Sequence, residues 1–210
     1  MTSPRKPRIS TRKEPKQTRS RQLVSDILIA AGRVLAREGA HRFTAARVAE
    51  EAGVSVGSLY QYFPNKEAIL FRLQSEEWER TSGLLTNILS DKSVAPFERL
   101  RSVVLEFVRS ECEEADMRNA LDDAAPLYRD APESQEIHKA GTRSARAFIE
   151  EILPHVAEPE RILVADITMM SLKAVGKQIS EAGFVPDEVD LRARALGDMF
   201  CAYLQSFMNQ

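Results

Sequence analysis

An all-α fold is predicted for this chain by three observations. Apolar residues recur at three and four spacing along most of the length, no alternating β-branched run appears, and the breaks fall at Gly and Pro. About nine helices and no sheet are expected. With 210 residues and 43% hydrophobic content the chain can bury a real core, in one large domain or two smaller ones.

The first stretch, "MTSPRKPRISTRKEPKQTRSR", holds three prolines and almost no apolar side chains, so residues 1–19 read as a basic disordered arm. From Gln17 to Glu38, Leu23, Val24, Ile27, Leu28, Ala31, Val34 and Leu35 lie at helical spacing, and Gly39 supplies the stop. Phe43 then precedes Thr44, an N-cap, and Val48 falls where it can pack back on Phe43 as a hydrophobic staple. This second helix runs about two turns, to Ala52. Gly53 lets the chain leave it in a left-handed conformation without a Cβ clash. Ser55 caps a third helix, and Asn65, after Pro64, caps a fourth that carries on to Trp78 and Leu84 or beyond, with Gly83 a weak point. Pro96, Pro126, Pro132, Pro154, Pro159 and Pro186 divide the remainder into helical segments 97–114, 117–127, 133–153, 159–182 and 187–208.

Charge is unevenly spread. Residues 1–66 carry 13 Lys or Arg against 5 Asp or Glu, whereas the rest is acidic and the whole chain has a net charge of -2. A basic third on an acidic remainder suggests that one end meets a polyanion. The spacing of Ala49, Gly53, Val54 and Leu59 fits two helices that cross steeply, with a small residue at the contact and a Gly in the turn: a helix-turn-helix. With Leu59 at the centre of the buried face, 100° per residue turns Gly57, Ser58, Tyr60 and Gln61 outward.

That face suits a major groove. Gly57 allows close backbone approach, Val56 can touch a thymine methyl, and Gln61 or Ser58 can hydrogen-bond a base edge. Thr44, Tyr60 and Tyr62 offer hydroxyls to phosphate, and Lys66 adds its charge at the start of the fourth helix, where backbone N–H groups already favour an anion.

The stretch "FTAARVAEEAGVSVGSLYQYFPNKEAIL", preceded by "AREGAHR", resembles the DNA-binding domain of TetR/AcrR-type transcriptional regulators over about fifty residues, from Ser20 to Leu70. The resemblance implies a homodimeric repressor that binds double-stranded operator DNA through residues 20–66, and the two lone cysteines suggest a cytoplasmic chain. Residues 67–210 would then dimerise through the last two helices and hold a pocket for a small-molecule inducer. It places phosphate contacts on Thr44, Tyr60, Tyr62 and Lys66, and groove contacts on the turn from Ser55 to Ser58. Ala46 stands where family members often have Arg, which leaves the neighbouring Arg47 to serve phosphate alone. In the arm, Arg5, Lys6, Arg8, Arg12 and Lys13 can reach a backbone or an adjacent minor groove.

A two-fold pairing of the last two segments would be served by Ile162, Ile167 and Met170 on one, and Leu191, Ala195, Met199 and Phe200 on the other. These apolar residues exceed what each helix needs for its own core. An inducer pocket between helices would be lined by Phe107, Cys112, Met117, Leu121, Tyr128, Phe148 and Met169, and so favours an apolar or amphipathic ligand. Operator half-sites should be palindromic.

Other function classes find little in the sequence. No nucleophile with its base, Gly-rich phosphate loop or metal cluster has a recognisable spacing, so neither an enzyme nor a metal or cofactor site is indicated. "EEADMRNALDDAAP" reads as a solvated helix surface. Cys112 and Cys201 have no CxxC spacing, which predicts no disulfide framework and no zinc site. A thiol sensor, or a DNA binder whose second domain only dimerises, stands as an alternative. "LVSDILIAAGRVLA" contains Asp26 and Arg33, which argues against a membrane span or signal peptide.

Overall fold

The computed structural model describes Ile9 and residues 18–128 and 132–208, for 132–141 the backbone alone. The described residues form nine α-helices and no strand: α1 (Thr18–Arg42), α2 (Ala45–Glu51), α3 (Val56–Tyr62), α4 (Lys66–Ser90), α5 (Pro96–Glu113), α6 (Ala115–Ala124), α7 (Pro132–Ile152), α8 (Glu158–Glu181) and α9 (Pro186–Met208), with a 3-10 turn, Ala125–Leu127, after α6. The all-α expectation holds. Arg5, Lys6, Arg8, Arg12 and Lys13 lie outside the described residues, whereas Ile9, expected in an arm without a core role, is buried in the first core.

The helix boundaries follow local chemistry. Gly39 takes φ +72°, so the regular part of α1 ends at Glu38. Thr44 Oγ1 accepts the Arg47 N–H at 3.3 Å, Ser55 Oγ accepts the Ser58 N–H at 3.0 Å, and Asn65 Oδ1 accepts the Ala68 N–H at 2.8 Å. Gly83 does not interrupt α4, which runs unbroken to Ser90. The prolines at 96 and 186 open α5 and α9, where a missing N–H costs nothing.

Two compact units result. The first takes α1–α3, α4 as far as Trp78, and α6 with the 3-10 turn. Its core joins Ile27, Leu35, Phe43, Leu59 and Phe63 to Leu70 of α4 and to Leu121 and Tyr128. The second takes the rest of α4 with α5, α7 from His138 onward, α8 and α9, around Val104, Phe107, Leu153, Phe200 and Leu204. The expected boundary at residue 66 is therefore displaced. The N-terminal half of α4 and all of α6 bury their apolar faces with the helix-turn-helix, because a three-helix module this small needs further cover to close its core.

Each unit contains one notable buried ionic contact. In the first, Glu77 and Arg118 pair at 2.7 Å, and the Tyr128 hydroxyl donates to Gln74 Oε1 at 3.2 Å. Burial pushes the Tyr128 hydroxyl pKa well above its ordinary value, so it stays a donor. In the second, Arg99 is fully buried, donates to Glu151 and to the Leu89 carbonyl, and stacks over the Phe148 ring.

Candidate nucleic-acid interface

The turn between α2 and α3 is closed by its own backbone. Gly53, at φ +65°, donates to the Glu50 carbonyl at 3.1 Å, and Val54 donates to the Ala49 carbonyl at 2.9 Å. Both bonds of a Schellman motif are present, and they satisfy carbonyls that would otherwise be orphaned at the end of α2. The chain is thus delivered to Ser55, whose hydroxyl caps α3 and lies 2.8 Å from the Ser58 hydroxyl. Leu59 is fully buried and anchors α3 to the first core.

Opposite Leu59 the helix is open. Ser55, Val56, Gly57, Tyr60 and Gln61 are exposed and Ser58 is half-buried, so the expected outward face is present. Thr44 is exposed beside it at the start of α2, its hydroxyl oxygen occupied as a cap while its hydrogen can still be donated. Lys66 opens the 25-residue helix α4, whose first N–H groups and macrodipole favour an anion there. Chemically this is a polar face of hydroxyls, an amide, one methyl-bearing side chain and one glycine, fit to meet base edges and phosphate.

Two expected contacts are placed differently. Tyr62 is only 9% exposed and belongs to the core: three residues after Leu59 it returns to the buried stripe, so its ring packs rather than facing a groove. Arg47 is engaged within the domain, donating to the Glu38 carboxylate and, at 3.0 Å, to the Arg42 carbonyl. Glu38 was missed by the sequence reading. A carboxylate at the last residue before a helix-ending glycine is the signal that could have found it, since it opposes the helix dipole unless paired.

In the second unit, Phe148 and Met169 line one apolar cavity of about 30 Å³ together with Leu100, Val104, Ala165 and Phe200. The other expected lining residues are elsewhere. Phe107 is core, pressed so closely on Gly176 that a Cβ there would lie 2.9 Å from its ring. Cys112 borders a surface groove with Arg109, Phe184 and Asp190. Met117, Leu121 and Tyr128 pack in the first unit, because α6 does. Helical spacing marks apolar faces but not which core each face enters. Burial, with help from Glu111 and Glu113, raises the Cys112 thiol pKa, and burial raises that of Cys201, so neither is set up as a thiolate.

Along α8 and α9 of that unit, Leu163, Ile167 and Met170 form one exposed stripe, and Leu191, Ala195 and Met199 another. Met170 is 66% and Leu191 67% exposed, far more than apolar residues of a self-sufficient surface need. Ile162 is half-buried. Phe200, expected in the same stripe, is 3% exposed and serves the intrachain core, being one residue past the exposed Met199 and so turned inward.

Comparison with known proteins agrees with this arrangement. Residues 27–73 match the family described as bacterial regulatory proteins, tetR family, and residues 95–207 match the tetracyclin repressor-like C-terminal domain. Among curated relatives, the HTH-type transcriptional repressor KstR of Rhodococcus jostii (strain RHA1) is 26% identical over 167 residues, 77% of each chain. A solved TetR-family regulator from Mesorhizobium loti superposes with TM-score 0.70 at 15% identity, covering 89% of this chain and 98% of that one. The fatty acid degradation regulator FadR from Bacillus halodurans gives TM-score 0.69 at 17% identity, covering 89% and 96%.

Proposed function

This chain belongs to the TetR family of DNA-binding transcriptional regulators, and from that premise we propose that it is a homodimeric repressor of a palindromic operator, released by a small apolar or amphipathic ligand. The observation that carries the reading is the capped helix α3, anchored by Leu59 and open on the side of Gly57, Tyr60 and Gln61. α3 would enter the major groove, with Thr44, Tyr60 and Lys66 on phosphate and Val56, Gly57, Ser58 and Gln61 at base edges.

Dimerisation supports the palindrome. The exposed stripes of α8 and α9 are apolar and lie on helices that touch each other, and an isologous pairing would bury both in a four-helix interface. Two α3 helices related by a two-fold axis then read inverted half-sites about one helical turn apart.

The apolar cavity supports release by a ligand. At about 30 Å³ it holds little more than a water or two, against the several hundred Å³ of an ordinary ligand site. A ligand filling it must part α5, α7 and α8 and therefore prefers an altered arrangement. If that arrangement spaces the α3 helices wrongly, the same preference weakens operator binding, and a factor of ten needs only about 1.4 kcal/mol. The lining is apolar, and Thr168 spends its hydroxyl on the Val164 carbonyl at 2.8 Å, which favours hydrocarbon over polar ligands. Melting curves of the protein with straight-chain and polycyclic apolar compounds test this: a true inducer raises the melting temperature and releases bound duplex. If none of them stabilises the protein, a dimerising DNA binder without an inducer is favoured instead.

A further inference from the structure

We infer that Arg47 and Glu38 form an interlock that positions the helix-turn-helix for DNA, so that Arg47 acts through α2 and not on phosphate. The inference rests on the DNA-binding role of α3. Each charge stands at the wrong end of its own helix. Glu38 is the last regular residue of α1, where the negative end of the dipole disfavours a carboxylate, and Arg47 is in the first turn of α2, where the positive end disfavours a cation. Paired with each other, the two remove both penalties. Glu51, the last residue of α2, repeats the pattern and is met at 3.1 Å by Arg37, which also reaches Glu38 at 3.3 Å.

The bonding is consistent with a strut. Arg47 Nη1 donates both to Glu38 and to the Arg42 carbonyl, one of the acceptors left over where α1 ends. Thr44-Ala45-Ala46-Arg47 also has the spacing of a capping box, with Arg where Glu or Gln would return to the cap. Here the third residue of the helix reaches back past the cap to the preceding helix. α2 is tied to the end of α1 at its first turn through Arg47 and at its last through Glu51. Those ties hold Thr44 and, through the Gly53 turn, the start of α3.

The test uses Arg47→Ala, Arg47→Glu and the charge-swapped pair Glu38→Arg with Arg47→Glu, which keeps the net charge. Binding to a short mixed-sequence duplex is measured across a salt series, with melting curves to establish that each variant is folded. Arg47→Glu should weaken binding roughly tenfold, about 1.4 kcal/mol. The swapped pair should return it to within about threefold of the natural chain, since coupled residues show their interaction as non-additivity. The swapped pair should also melt no lower than the natural chain, because each charge then suits its helix end. Arg47→Ala should leave the salt slope unchanged. A slope reduced by about 0.9 in Arg47→Ala, the loss of one phosphate contact, would overturn the inference, as would a swapped pair as weak as Arg47→Glu. A natural chain that fails to bind the duplex would instead break the DNA-binding role on which the inference rests.

Discussion

Ser55 and Ser58 are joined twice, by the Ser58 N–H donated to Ser55 Oγ at 3.0 Å and by hydroxyls 2.8 Å apart. The pair ends the turn and starts the recognition helix. Ser55→Ala removes the cap and should lower stability by about 1 kcal/mol, read from the denaturation midpoint. Because α3 is only seven residues long, operator affinity should fall further than the stability change alone explains.

Lys66→Ala should weaken binding to all sequences alike and reduce the salt slope by about 0.9, the signature of one lost phosphate contact. A changed sequence preference in that variant would show that Lys66 reads bases instead.

Gly57→Val separates fold from function. A Cβ at Gly57 would meet only Ser55 Oγ, at 3.8 Å, which is ordinary contact, and Val is a better helix former than Gly, so the domain should fold with a melting temperature no lower than that of the natural chain. On the exposed face the added side chain blocks close approach to the groove, so the specific affinity should fall by at least about tenfold while weak binding to any duplex persists.

Met170→Glu combined with Leu191→Glu places charges on the α8 and α9 stripes, where both natural side chains are mostly exposed. The single chain should remain folded, and sedimentation should report monomers, because a two-fold interface would bring each new carboxylate to an apolar partner surface.

The Arg99 guanidinium holds the Glu151 carboxyl pKa below its ordinary value by direct hydrogen bonding. A carboxylate with a depressed folded pKa adds stability that is present above the ordinary carboxylate range and is lost as the pH falls through the folded value. Glu151→Gln should therefore flatten the acid limb of the stability curve. It should also cost roughly 3 kcal/mol near neutral pH, since it leaves the buried Arg99 without its counter-charge.

Local chemistry was the most legible part of the sequence. Gly39, Thr44, Gly53, Ser55 and Asn65 announce their turns and caps because backbone geometry and one side chain suffice to set them. The outward face of α3 was legible once Leu59 was fixed as its inner pole. Tyr62 was placed by the chemistry of its hydroxyl and Phe200 by its apolar character, whereas their positions three residues after Leu59 and one after Met199 turn both side chains into the core. That Met117, Leu121 and Tyr128 enter the first core was not legible, because no local pattern tells which core a helix joins. Leu121 and Tyr128 are buried in one core with residues of α1 to α4, and that is a tertiary choice. The partner of Arg47, Glu38, was not legible because it lies across a turn in a different helix.

Selection of random duplex DNA on the purified protein at moderate salt, followed by sequencing of what is retained, tests the regulator reading most directly. An inverted repeat with half-sites about one helical turn apart is the expected result. Retention of duplexes with no shared sequence, lost as salt rises, would contradict it and leave a non-specific or partner-dependent DNA binder.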